Sequence, residues 1–366
     1  MTPARVLVMG AGSAAAENLI QSLRRAEPSL VLIGCHEDRF VLKHSAADGR
    51  YLVPSPGAPD FMRRVAGLAR TARIDLVIPT SDRYVLALSS GRRQVPGRLF
   101  LPAHRVVTLC QDKYALAAAL RRRGLPTPIT CRVTRLDAVE QIFARFGHPA
   151  RLWCRPRTGT CARGGGAVSS PEQARSWIRL WETMQGVPIS SFTLSQYLPG
   201  REILCQSVWQ RGRLILINTF ERLSYFGVDN IPSGVTSLSS LAKTVIEPDV
   251  VALCRRAIRA VAPRASGAFS VDVKEDERGR PYITEINAGR FFMAMTAFDR
   301  MLKHSMALTY VRLARGDRVD LHEEYDAVDD CYMVRDLDMA PGIFRGEELF
   351  EGIEDPPVSV SAADRA

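Results

Sequence analysis

Short apolar runs alternate with stretches in which apolar positions recur every three or four residues. RVLVM at 5–9, VLIG at 31–34 and DLVIP at 75–79 read as buried strands, and 16–25 and 61–70 carry the spacing of amphipathic helices. Strand–helix alternation with short connections predicts a parallel, Rossmann-like α/β unit over residues 1–103, closed by a strand at 99–102. A helix opens at 110 and runs to 123. Strand, glycine loop and strand follow over 152–168, then a helix at 171–184, a strand at 214–220 and a helix at 248–261. FSVDVK (269–274) and RPYITEIN (280–287) alternate with period two around the polar run EDERG, which predicts a hairpin with Gly279 at the turn. A helix at 301–314 and a late strand at 332–338 complete the pattern, and the tail 356–366 reads as disordered.

The hairpin carries the most chemistry. Period-two alternation puts Glu285 and Asn287 on one face, and Asp272 approaches them from the partner strand. Two carboxylates and an amide oxygen are hard donors that suit Mg²⁺, which commonly completes its shell with waters and nucleotide phosphates. The competing reading is a solvated edge hairpin. Tyr282, Ile283 and Ile286 around Glu285 argue instead for a buried strand, where a lone carboxylate is costly.

Composition narrows the function class. The 366 residues, 46% hydrophobic and 24% charged, are enough for two or three domains. No apolar run approaches a membrane span, and the N-terminal stretch enters a strand directly, so neither a membrane protein nor a signal peptide is expected. Eight scattered cysteines without metal-ligand spacing fit a reducing cytoplasm; Cys154 and Cys161, beside the glycine loop, are the thiols expected to be exposed. The net charge of +10 is almost all arginine and is spread along the chain, which favours a basic cleft for small anions over nucleic acid.

Gly10-Ala-Gly-Ser-Ala-Ala15 after the first strand is a weakened dinucleotide fingerprint, and Glu37-Asp38 arrives late for a ribose contact. A dehydrogenase therefore stays open on these residues alone. Thr80 and Asp82 sit where strand ends face a ligand crevice, with Asp82 read first as a helix N-cap. Lys113 near a helix start hints at an anion partner.

Taken in order, these motifs resemble the ATP-grasp ligases, in the branch similar to the carbamoyl phosphate synthase large chain. The matching stretches are the DK pair at 112–113, the proline hinge GLPTP (124–128), WCRPRTG (153–159), GGG (164–166), SQYLPGRE (195–202), and GAFSVDV (267–273) with EINAGRF (285–291). The resemblance implies a Rossmann-like unit over 1–103 and an ATP-grasp unit over 104–355 whose mobile lid spans about 126–198. It implies Mg²⁺, or Mn²⁺ in its place, on Asp272, Glu285 and Asn287. ATP is implied on Lys113, Arg155, the flap glycines Gly164, Gly165 and Gly166, the adenine hinge Gln196, Tyr197 and Leu198, and the ribose residue Glu202. Arg222 and Arg290 would face the transferred phosphate, with Arg290 displaced by one residue because Ala288 and Gly289 replace the usual single proline. Ser233, Gly234 and Thr236 form a candidate substrate loop; Asp336 and Asp338 read as surface. The implied activity joins a small carboxylic acid to an amine at the expense of ATP, by way of an acyl phosphate. The N-terminal glycine turn serving an NAD(P)-dependent dehydrogenase, and a non-catalytic nucleotide-binding regulator, are the alternatives. A homodimer is left open.

Overall fold

The computed structural model describes residues 3–160, 162–227, 238–291, 295–335 and 351–355. The candidate substrate loop at 233–236, Cys161, Asp336, Asp338 and the tail 356–366 lie outside the described residues.

Three sheets follow one another along the chain. The first is parallel, in the order β3-β2-β1-β4, from β1 (Arg5–Met9), β2 (Val31–His36), β3 (Gly49–Leu52) and β4 (Leu76–Pro79). Its helices are α1 (Ala14–Ala26), the short α2 (Arg39–Lys43), α3 (Phe61–Thr71) and α4 (Asp82–Ser90). The strand expected at 99–102 does not form; a single bridge, Leu76 to Arg98, ends the sheet there. Leu101 is instead drawn into the apolar core beneath the sheet.

The helix expected over 110–123 is interrupted. α5 (His104–Gln111) ends where Asp112 adopts an extended conformation and caps α6 (Lys113–Arg121), its Oδ1 accepting the amides of Tyr114 and Ala115. A carboxylate that satisfies orphan amides at a helix start outweighs continuation of the previous helix.

The second sheet is antiparallel, in the order β5-β8-β6-β7: β5 (Thr130–Arg132), β6 (Leu152–Pro156), β7 (Gly166–Val168) and β8 (Phe192–Gln196). α7 (Ala138–Arg145) and α8 (Pro171–Gln185) cover it, with Trp177 and Trp181 packed against its own core. Cys154, expected at the surface, is fully buried in that core, and burial pushes its thiol well above the ordinary range.

The third sheet has six strands in the order β13-β12-β9-β10-β11-β14: β9 (Glu202–Gln210), β10 (Arg213–Tyr225), β11 (Ser239–Thr244), β12 (Gly267–Glu275), β13 (Pro281–Ala288) and β14 (Tyr332–Val334). One face carries Phe269, Val271 and Val273 into the apolar layer shared with α5, α6 and α9 (Pro248–Val261). Alternation therefore sends Asp272 and Lys274 to the opposite face. α10 (Met306–Arg315) joins the first and third sheets through Tyr310, which packs with Phe291 and donates to the Phe100 carbonyl.

Candidate active site

The hairpin departs from strict alternation at one point. Asp272 pairs with Glu285 and Ser270 with Asn287, but Val273 pairs with Ile283, so Thr284 is an extra residue in a bulge. Without the bulge, Ile283 would share the polar face with Glu285. With it, Ile283 and Ile286 both enter the core while Glu285 and Asn287 keep their common face. The freed Thr284 carbonyl accepts Nη2 of Arg155 at 3.1 Å, so the bulge also supplies an anchor for the second sheet.

On this face the charged side chains form one connected network. Nη1 of Arg155 donates to Oε1 of Glu285 at 2.7 Å, and Nζ of Lys113 stands 3.7 Å from the same oxygen. Lys113 also donates to the Gly159 carbonyl at 2.7 Å, which ties the start of α6 to the glycine loop. Nδ2 of Asn287 donates to Oδ2 of Asp272 at 2.9 Å, while Oδ1 of Asp272 accepts from Arg222 at 3.1 Å. Arg222 pairs in turn with Glu202, whose second oxygen accepts the Tyr225 hydroxyl at 2.5 Å and lies 3.7 Å from Lys274.

Electrostatics follow from burial within this network. Burial pushes the Asp272 carboxyl up to about 7, with Arg222 opposing and Glu285 and Glu202 reinforcing the shift. Burial also pushes Glu202 up, but Arg222 and Lys274 overcome it and hold its carboxyl below the usual range. For Arg222, burial acts downward and the two carboxylates win, so the guanidinium stays charged.

Arg290 arrives by an unexpected route. Gly289 sits at φ +101°, and a Cβ there would come within 2.8 Å of Val85, so only glycine lets the end of β13 turn this close to α4. The turn brings Arg290 to Asp82, Nε to Oδ1 at 2.5 Å and Nη2 to Oδ2 at 3.2 Å, while Nη2 also reaches Oδ1 of Asn287 at 2.7 Å. The extra residue before Arg290 therefore does not keep it from the site. Asp82 is not the N-cap; Ser81 fills that role. Thr80 turns back to donate to the Met9 carbonyl at 2.6 Å, away from the crevice.

These groups line an open cavity of about 220 Å³ between the second and third sheets, with Asp82 of α4 at its edge. Lys113, Arg155, Gly165, Gln196, Tyr197, Leu198, Glu202, Arg222, Asp272, Glu285, Asn287 and Arg290 all border it, and so does Asp82. Gly164 and Gly166 do not. Gly164, at φ +74°, gives its carbonyl to the Trp177 indole at 3.1 Å, and Gly166 lies in the β7 ladder opposite Cys154. Their backbone groups serve the second sheet's own structure, which leaves Gly165 as the glycine of the three that borders the cavity. Asp82, expected at the crevice but read first as a cap, does border the cavity; Lys274, and Tyr225 behind Glu202, were missed as site residues. Lys274 was legible, since it lies two residues from Asp272 on the same strand face.

The donor set suits a hard divalent cation. Asp272 and Glu285 are in register on neighbouring strands, and Asn287 contacts Asp272, so three oxygen-bearing groups share one small region. No group of three His, Cys, Asp or Glu side chains converges anywhere among the described residues, so the donor set here is two carboxylates and one amide.

The N-terminal glycine turn is filled by the chain itself. Glu17, 3% exposed, accepts the Gly12 amide at 2.7 Å through one oxygen and the Ala46 amide at 2.8 Å through the other. A Cβ on Gly12 would lie 1.7 Å from the Val41 carbonyl oxygen, so α2 closes over the turn. A carboxylate thus occupies the place where a dinucleotide pyrophosphate would sit.

No protein-family model matches the sequence. Among solved structures, the chain is similar to a biotin carboxylase complex with β-γ-ATP from Campylobacter jejuni, with a TM-score of 0.69 and 12% identity, covering 87% of this chain and 72% of that one. An L-amino acid ligase from Bacillus licheniformis gives a TM-score of 0.65 at 13% identity, over 86% of this chain and 75% of the other. An N5-carboxyaminoimidazole synthase from Aspergillus clavatus, in complex with ADP and 5-aminoimidazole ribonucleotide, gives 0.65 at 17%, over 89% and 80%. With the order of sheets and the long coverage of each neighbour, this establishes that the chain has the ATP-grasp fold.

Proposed function

We propose that the protein is an ADP-forming ligase that joins a small carboxylic acid to an amine. The single observation that carries this reading is the convergence of Asp272, Glu285 and Asn287 with Lys113, Arg155, Arg222 and Arg290 around one cavity. In this reading a carboxylate oxygen of the acid attacks the γ-phosphorus of ATP, and the bond to ADP breaks. The amine nitrogen then attacks the acyl carbon, inorganic phosphate leaves, and the amine gives up a proton. Mg²⁺ held by Asp272, Glu285 and Asn287 would supply neutralisation of the β- and γ-phosphate charge.

The chain's own cations supply the rest by position and charge. Arg155 and Lys113 are held in place by Glu285 and receive the phosphates when nucleotide enters. Arg290, steadied by Asp82, faces the acid and the transferred phosphoryl group. Arg222 keeps Asp272 and Glu202 in place at the boundary between the metal and ribose positions. Gln196, Tyr197 and Leu198 form the adenine edge, and Gly165 lets the lid backbone come close.

Similarity to an ATP-complexed biotin carboxylase, an amino acid ligase and an ADP-bound synthase supports the reading. The filled glycine turn counts against the dehydrogenase alternative. The retained trio counts against a regulator without catalysis. A reducing cytoplasm as the setting rests on the scattered cysteines, and among the described residues no helix is long and apolar enough to cross a membrane. A phosphate-release screen of carboxylic acids against amines, with product masses recorded, tests the assignment: one pair should release phosphate stoichiometrically with an amide-forming condensation. ATP-independent turnover of NAD(P) would overturn it.

A further inference from the structure

β10 is irregular where it passes the site. Arg222 lies directly opposite Glu202 of β9 and shares its face. Three residues further on, regular alternation would send Tyr225 to the other face, away from Glu202. The pairing with β11 slips instead. Arg222 pairs with Ala242 and Ser224 with Leu241, which leaves Leu223 an extra residue in β10. Tyr225 then pairs with Ser239, so Ser240 is an extra residue in β11 and the register is restored. The first bulge returns Tyr225 to the face of Arg222, and its hydroxyl donates to Oε2 of Glu202 at 2.5 Å.

Burial does not account for the slip. Leu223 is 41% exposed, Ser224 is exposed as well, and the hydroxyl contact between Ser224 and Ser240 lies at the surface. Bulges interrupt the ladder and recur beside active sites, where they re-aim a side chain. Here the side chain re-aimed is Tyr225. It stands behind Glu202, which borders the main cavity while Tyr225 does not. Arg222 holds one oxygen of Glu202 and Tyr225 the other, with Lys274 at 3.7 Å from the second. A donor on each oxygen stops the carboxylate from turning, and each oxygen so held keeps an acceptor position for a ligand. Burial first, and the Glu202 charge next, push the Tyr225 hydroxyl well above its ordinary range, so it stays a donor at neutral pH.

We propose that Tyr225 is a positioning residue for the nucleotide, acting through Glu202: it locks the carboxylate so that both oxygens receive the 2′ and 3′ hydroxyls of the ribose. This role depends on Glu202 being the ribose residue, as in the ligase reading; Tyr225 adds the rigidity. A vicinal diol needs two acceptors at a fixed spacing and orientation. A mobile glutamate would offer them only by giving up side-chain freedom on binding. With Arg222 and Tyr225 in place that freedom is already lost on folding, and the diol meets a preorganised pair.

Calorimetric titration of the full chain in Mg²⁺ with ADP and with 2′,3′-dideoxy-ADP tests the proposal without the acid or the amine. Wild type should prefer ADP, and Glu202→Gln should lose the preference. Tyr225→Phe, which removes only the hydroxyl, should weaken ADP about tenfold, the worth of one hydrogen bond to a charged group, and leave dideoxy-ADP unchanged. The two affinities are compared on one preparation, so their ratio does not depend on the fraction folded. Equal weakening of both nucleotides in Tyr225→Phe, or ADP bound as tightly as by wild type, would overturn the role of Tyr225 and leave Glu202 its own. No preference in wild type, or a preference kept in Glu202→Gln, would overturn the ribose reading of Glu202 and the role of Tyr225 with it.

Discussion

Asp82 at the start of α4 and Arg290 at the end of β13 form a two-point ion pair, with Nε to Oδ1 at 2.5 Å and Nη2 to Oδ2 at 3.2 Å. It links the parallel sheet to the metal-candidate hairpin, because the same guanidinium also holds Asn287. Both side chains are largely shielded, at 16% and 19% exposure, so solvent screens the pair less than it would a surface bridge. Asp82→Asn should therefore lower kcat/KM by about ten- to a hundredfold, the range for a charged hydrogen bond, and also lower the melting temperature, because the shielded Arg290 loses its main counter-ion. Arg290→Lys should not rescue function, since an ammonium cannot span both partners with fixed geometry. Wild-type kcat/KM in folded Asp82→Asn would remove Asp82 from the site.

Arg155 couples the second sheet to Glu285 and to the Thr284 carbonyl. Arg155→Ala should raise the KM for ATP about tenfold or more and speed amide exchange in β6 and β7 in the nucleotide-free protein, because both anchors are lost at once. Steady-state kinetics and hydrogen exchange read the two effects separately. Unchanged exchange would mean that the lid is held by other contacts.

Asp272 sets a pH dependence whose sign follows from burial. With its carboxyl near 7 in the metal-free protein, a proton competes with a divalent cation below that value. The apparent Mg²⁺ requirement should rise up to about tenfold for each pH unit below 7 and level off above it. Stability gives a second check. Relative to Asp272→Asn, the metal-free wild type should lose stability as pH rises from 3.8 towards 7, because ionising a carboxyl raised on folding disfavours the native state. A Mg²⁺ requirement flat across this window would contradict the assignment.

Glu17 closes the N-terminal glycine turn. Glu17→Ala removes the acceptor of the amides of half-buried Gly12 and exposed Ala46 and should cost about 1–3 kcal/mol in all, since water can reach part of what is lost. Thermal melting reads this loss. In the wild type, NAD or NADP should produce no melting shift; a clear stabilisation by either would reopen the dinucleotide reading.

Much of this was legible in the sequence because the signals are local. Period two in 269–274 fixes which face Asp272 takes, and the positive φ at Gly279, +71°, is what its turn asked for. What escaped depends on neighbours distant in the chain. The bulge at Thr284 answers the need to bury Ile283 against the core helices, a demand that alternation in one strand does not express. Asp82 read as a cap because nothing in its own segment announces Arg290, 208 residues away. The self-filled glycine turn was hidden for a like reason: Glu17 belongs to α1, but its second partner is the Ala46 amide. Cys154 looked exposed by its glycine-rich company, although the second sheet has a core of its own.

The central claim is that Asp272, Glu285 and Asn287 hold the metal of a metal–nucleotide complex in the cavity between the sheets. A crystal soaked with Mn²⁺ and a non-hydrolysable ATP analogue, with anomalous data collected, tests it most directly. The account predicts an anomalous peak at coordination distance from those three side chains, with the analogue between the lid and β9. A peak elsewhere, or the nucleotide at the Gly10–Ser13 turn, would contradict it.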